Sequence, residues 1–316
     1  MTRFARFGWA VLGYNLLVIL WGAYVRASGS GAGCGAHWPL CNGVVIPREA
    51  AVETLIELTH RATSGIALLL VVAQLVWARR IAPRGSATWL VTHAAMALMI
   101  TEALVGAGLV LFEMVADNVS LARAWWLAAH LLNTFLLVAA LTLIPWFASG
   151  QRAPRLGEGS GERGLLAASL LGMLAVGMSG AVTALGDTLF PATSLAAGLA
   201  QDLDPASHLL VRLRVIHPTL AIVVGTLIAL TAGVAMVRRP SPMTRHLGTV
   251  TLGLVVTQLL AGLVNLVLLA PIWMQLVHLL LADALWIVLV LLAAATLAAD
   301  RRDGSASSPG AGRATG

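Results

Sequence analysis

The chain has 316 residues, 59% of them hydrophobic and only 11% charged, with a mean hydropathy of +0.87. A soluble globular chain carries roughly a quarter charged residues, so this composition excludes a cytosolic enzyme, a secreted module and a nucleic-acid binder and places most of the chain in lipid. All 20 basic residues are arginine, the net charge is +6, and two cysteines are too few for a disulfide-rich scaffold or a four-thiolate metal site.

A helix that crosses a hydrocarbon layer roughly 30 Å thick needs about 20 apolar residues. Eight runs qualify: 7–26, 60–79, 88–112, 124–148, 164–185, 213–237, 246–270 and 273–298. The first is too long for a removed signal peptide and lacks a cleavage pattern, so it is expected to stay as a helix. After it comes the stretch GSGAGCGAHWPLCNG with Cys34 and Cys41, then Glu57-Leu-Thr-His60-Arg61 at the start of the second run. Glu102 lies in the third run, and WWLAAHLLN with His130 in the fourth. The sixth run opens on Arg214-Val-Ile-His217-Pro218, and the eighth on WMQLVHLLL with His278. The Gly/Ser/Ala/Pro-rich tail, 301–316, is expected to be disordered.

Cytoplasmic loops keep the excess of positive charge. Fourteen arginines fall on the side of both termini and six (Arg26, Arg48, Arg61, Arg123, Arg212 and Arg214) on the other, so both termini are expected in the cytoplasm. Cys34 and Cys41 then lie outside, where a disulfide can form. As a structural staple or as a redox pair, both readings stay open.

The eight runs are two copies of a four-helix unit. ELTHRATSGIALLLVVAQLVWARR around His60 matches RVIHPTLAIVVGTLIALTAGVAMVRR around His217. Thr101, Leu104 and Gly106 fall on Thr257, Leu260 and Gly262, and His130 falls on His278. Each unit has an even number of spans, so the repeat is parallel rather than inverted. The expected fold is an all-α polytopic membrane protein, with bundles at 1–150 and 151–300.

His37, His93, His208 and His246 lie in loops or near helix ends and can be solvated there. His60, His130, His217 and His278 share one position, the first residues of runs two, four, six and eight. Ionisable groups at membrane depth are expensive and mark sites. Two imidazoles on facing helices suit the axial positions of a heme, whose porphyrin supplies the other four ligands. The expectation is one bis-histidine pocket per bundle, with Arg61, Arg123 and Arg214 as propionate partners.

Function beyond binding should show where the halves differ. Glu57 lies three residues before His60, on the same helical face, where the second half has Arg214. The cysteine pair has no counterpart either. Glu102, Asn133, Asn265 and Asp283 also sit at membrane depth and read mainly as interhelical hydrogen bonders.

Taken together, GAYVRASGSGAGC…WPLC, ELTHR, AAHLLN, RVIHP and QLVHLLLA resemble heme A synthase, the Cox15/CtaA family, over residues 5–298. The resemblance implies oxidation of the C8 methyl of heme O to a formyl group, giving heme A for terminal oxidases. It implies a resident heme b on His217 and His278, heme O facing His60 and His130, and Glu57 as the essential carboxylate. Cys34 and Cys41 resemble the loop cysteines of bacterial members. The further pair that some members carry in the second half is missing, so that loop is expected to be held by packing alone. Glu102 stands where the family suggests Gln. The implied setting is a bacterial plasma membrane, with the heme sites toward the outside. The implied partners are heme O, heme O synthase, an electron acceptor and the lipid bilayer, with room for a homo-oligomer. The competing reading is a di-heme membrane cytochrome b that only carries electrons, which leaves Glu57 and the cysteine pair without a reason.

Overall fold

Residues 2–48, 50–154 and 160–298 are described by the computed structural model; the expected tail at 301–316 lies outside them. In chain order the helices are α1 (Arg3–Ala27), α2 (Val52–Ile81), α3 (Ala87–Leu111), α4 (Leu121–Ala148), α5 (Ser160–Leu189), α6 (Leu195–Leu203), α7 (Leu209–Arg212), α8 (Ile216–Arg238), α9 (Pro242–Val267) and α10 (Ile272–Ala298). A 3-10 turn, Leu213–Val215, joins α7 to α8 so that Leu209–Arg238 runs as one span. Among the described residues eight spans are long and apolar enough to cross a membrane, and the protein is an all-α, multi-pass membrane protein.

The starts of these helices are set by side-chain caps. Thr2, Ser86, Ser120 and Ser241 each accept a backbone N–H of the first turn of α1, α3, α4 and α9, and Pro242 occupies the first turn of α9. Arg79 and Arg80 in the last turn of α2, and Arg238 in that of α8, complement the helix dipole.

The apolar runs understate the helices. α2 starts at Val52 rather than near 60, because Glu53, Thr54 and Glu57 continue the helix under a loop instead of in lipid. His60, His130, His217 and His278 therefore lie roughly two turns inside their spans rather than at the tips. Short α6 was not expected from the sequence; it lies in the α5–α7 connection, capped by Ser194.

Helices α1–α4 pack together, as do α5, α8, α9 and α10, and the seam between the groups is made by α1, α4, α5 and α10. This arrangement is consistent with tandem bundles. Lipid is as apolar as leucine, so packing and hydrogen bonds hold such helices rather than water exclusion. At the seam Phe135 and Trp286 stack with centroids 5.6 Å apart, and the Trp286 indole N–H donates to the Phe135 carbonyl at 2.6 Å. One core continues through both groups, including Val11, Met99, Val138, Met173, Ile228 and Leu289. Leu17, Leu69, Val223 and Val237 face outward, as a lipid-facing surface requires.

Candidate functional site

The four histidines are each seated against a glycine of a neighbouring helix. His60 on α2 lies over Gly22 of α1, and His217 on α8 over Gly180 of α5. His130 on α4 lies over Gly106 of α3, and His278 on α10 over Gly262 of α9. A Cβ added at these glycines would sit 2.8, 3.0, 3.9 and 3.1 Å from the respective ring Cε1. Three of the four slots exist only because no side chain fills them. Apolar periodicity does not mark a helical glycine as a slot, but two such glycines had a visible signal: Gly106 and Gly262 fall on each other in the repeat.

Within the second bundle, the His217 and His278 rings lie 6.2 Å apart, centroid to centroid, and nearly perpendicular at 87°. Two imidazoles that share one metal at about 2 Å per bond have centroids roughly 6 Å apart. The Ser179 hydroxyl donates to the Val176 carbonyl at 2.9 Å and so accepts, at 3.1 Å, from His217 Nδ1. That fixes the proton on Nδ1 and leaves the Nε2 lone pair for a metal. His60, His130 and His278 each have a buried Nδ1 without a hydrogen-bond partner, an arrangement that costs roughly 1–3 kcal/mol per group unless a ligand orients the ring. All four rings are half-buried. Among the described residues no three His, Cys, Asp or Glu side chains gather at one point. Two donors per bundle therefore suit a group that brings its own equatorial ligands, and heme is such a group.

The surroundings of the two pairs differ. Cys34 and Cys41 form a disulfide, and their loop is pressed onto the start of α2. The Thr54 hydroxyl donates to Gly33 O at 2.7 Å, and the Cys34 N–H donates to Glu57 Oε2 at 2.8 Å. Glu57 is 3% exposed, and its Oε1 pairs with Arg61 at 2.5 Å. Arg61 also donates to the carbonyls of His37 and Leu40 at 2.5 and 2.6 Å. Glu57 and Arg61 thus form a buried ion pair that ties the disulfide loop down beside His60.

Arg214, at the position of Glu57, does the corresponding work in the other half. It pairs with Asp202 at 2.8 Å and Asp187 at 3.2 Å, and donates to Phe190 O. The second loop is therefore held by charge, not by packing alone as the missing cysteines suggested. Arg123 donates to the carbonyls of Ala116 and Asn118, with its Nε buried and unpartnered.

Arg26 was counted in the sequence only for topology. From α1 it crosses the seam and donates to Ala184 O at 2.7 Å, Thr188 Oγ1 at 2.8 Å and Gln275 Oε1 at 2.6 Å. Gln275 lies one turn before His278 on α10.

The COX15-CtaA family, described as "Cytochrome oxidase assembly protein", matches residues 5–290. A Thermus thermophilus protein named "Protoheme IX farnesyltransferase" is 53% identical over 297 residues, covering 94% of this chain and 49% of that protein. "Heme A synthase" of Alkalihalophilus pseudofirmus is 43% identical over 97 residues, 31% of this chain and 33% of its own length. "Heme A synthase" of Halalkalibacterium halodurans is 37% identical over 126 residues, 40% of this chain and 42% of its own length. The chain spans about half the length of the Thermus relative and less of the others.

Proposed function

Because the chain belongs to the COX15-CtaA family of cytochrome oxidase assembly proteins, we propose that it is a heme A synthase, a membrane oxidoreductase that converts the C8 methyl of heme O to a formyl group. The observation that carries this reading is the set of four glycine-seated histidines, paired within two bundles whose surroundings differ. His217 and His278 would hold a resident heme b, with Ser179 at hydrogen-bond distance from His217 Nδ1 to orient that ring. His60 and His130 would hold heme O beside Glu57.

A bound heme supplies an iron centre that accepts and passes on single electrons. With water as the oxygen donor, a methyl carbon becoming a formyl carbon releases four protons and four electrons, the latter to a membrane electron acceptor. Positive charge develops next to the porphyrin edge, and Glu57 is an anion fixed on the His60 face of α2. The loop pinned by Glu57 and Arg61 excludes water from that side. Among the three proposed propionate partners, Arg123 spends its hydrogen bonds on carbonyls, whereas Arg61 and Arg214 already hold carboxylates. Both heme sites face the extracytoplasmic side of a bacterial plasma membrane, with both termini cytoplasmic.

The farnesyltransferase name belongs to a Thermus protein about twice as long as the part matched here. We assign prenyl transfer to the half that this chain does not match. A heme O synthase is then the natural supplier of substrate. Expression in cells that make heme O but not heme A, followed by pigment extraction, tests the proposal. Heme A is expected; heme O alone would overturn it.

A further inference from the structure

On the reading just given, the two bundles need heme sites with different electron affinities, and one matched pair of residues separates them. Glu102 of α3 and Gln258 of α9 occupy the same place in the repeat, and each faces the histidine of its own bundle. Glu102 Oε1 lies 3.4 Å from His130 Nδ1, a nitrogen that is buried and has no formed hydrogen bond. The carboxylate is held in place from α4: Asn133 Nδ2 donates to Oε2 at 2.6 Å, and the Thr134 hydroxyl donates to Oε1. Asn133 is itself fixed by Thr101 Oγ1 at 2.7 Å and by Leu98 O at 2.9 Å. A small rotation of the imidazole aligns its Nδ1–H with an acceptor that cannot swing away.

The second bundle lacks this arrangement. The positions of Asn133 and Thr134 are taken by Leu281 and Ala282. Gln258 turns its amide nitrogen to His278, 3.3 Å from Nε2 and 3.2 Å from the backbone carbonyl. His217 has a neutral serine hydroxyl as its acceptor. One bundle therefore sets a carboxylate behind a histidine, whereas in the other His217 has a neutral hydroxyl at Nδ1 and His278 has no acceptor there, Gln258 lying at its Nε2 instead.

We propose that Glu102 is a positioning residue that hydrogen-bonds His130 and makes it the strongest iron donor of the four histidines, so that a heme in the first bundle has a lower reduction potential than the heme in the second. The physical ground is general: an acceptor on the far nitrogen orients a ligating imidazole and raises its basicity, a carboxylate more than an amide or hydroxyl. A stronger donor favours the ferric over the ferrous state. The substrate site then keeps its iron oxidised while the resident site stays reducible.

The test uses purified full-length protein to which ferric heme b is added until uptake stops, with each heme followed by visible spectroscopy in a potentiometric titration and by low-temperature EPR. Glu102→Gln is expected to raise the lower of two potentials by at least about 59 mV, a tenfold change in the ferric-to-ferrous ratio, and to shift its EPR signal, with the other heme unmoved. Asn133→Leu, which frees the carboxylate without removing it, is expected to move the same heme in the same direction by less. It serves also if Glu102→Gln does not assemble. Equal potentials in wild type, or an unmoved lower potential in both variants, would overturn the role of Glu102 alone. If wild type takes up no second bis-histidine heme, or if His130→Ala binds it unchanged, the heme assignment of the first bundle fails, and this inference with it.

Discussion

Glu57 anchors the disulfide loop, and in the proposed function it also serves catalysis; a pair of substitutions separates the two roles. Glu57→Gln keeps the shape of the side chain and an acceptor for the Cys34 N–H, but removes the charge that balances Arg61. The pair is almost closed to solvent, the two side chains being 12% and 4% exposed. Breaking a buried pair by removing one partner costs roughly 3–5 kcal/mol. Arg61 retains the carbonyls of His37 and Leu40, so the lower end, about 3 kcal/mol, is expected here. Adding Arg61→Met removes the orphaned cation, so most of that stability should return in the double variant. Catalysis should not return with it, because the anion beside the His60 pocket is still missing. Loss of one such preorganised electrostatic contact costs about 10²–10³ in rate. Thermal loss of the heme b absorbance reads the first effect, and heme A in pigment extracts of cells supplied with heme O reads the second. The expected pattern is a stability that falls and recovers, with heme A low throughout and heme O accumulating. Wild-type heme A from either variant would show that Glu57 acts only as an anchor for the loop.

Three further outcomes are expected. His217→Ala or His278→Ala should lose the stably bound, low-spin heme b, and an unchanged reduced spectrum in either would refute the axial assignment. Gly22→Ala, Gly180→Ala and Gly262→Ala should displace their imidazoles and lower heme content, whereas Gly106→Ala, whose added Cβ would meet His130 only at 3.9 Å, should be tolerated; equal heme content in all four would sink the slot argument. Cys34 and Cys41 should resist thiol labelling until a reductant is added, and full labelling of the untreated protein would exclude the bond.

Much of this was legible in the sequence, because lipid imposes a simple rule on it. Any segment that crosses must be apolar for its whole length, so the eight spans stood out. Duplication then made His60, His130, His217 and His278 stand out against histidines that occur once. The rest depended on contacts that no periodicity encodes. α2 extends eight residues past its apolar run because Glu53, Thr54 and Glu57 are received by a folded loop. That extension is why His60 lies deeper than expected. Arg214 looked like a propionate partner, and its two aspartates come from separate elements, Asp187 from the end of α5 and Asp202 from α6. Glu102 looked like an interhelical hydrogen bonder, which it is; its approach to His130 required the packing of α3 on α4.

The reach of Arg26 has a consequence for how the chain is made. Its three acceptors, Ala184, Thr188 and Gln275, belong to α5 and α10, the first and last long helices of the second half. A ribosome that has delivered α1 through α4 has supplied none of them. An arginine without partners is costly at membrane depth, and Arg26, in the last turn of α1, is placed to hold its guanidinium toward the membrane surface until then, stretched along its own methylenes. Two of its acceptors arrive with α5, and the third, Gln275, only with α10. The contacts of Arg26 across the seam are therefore completed in two stages, each of which waits for a helix made after α4.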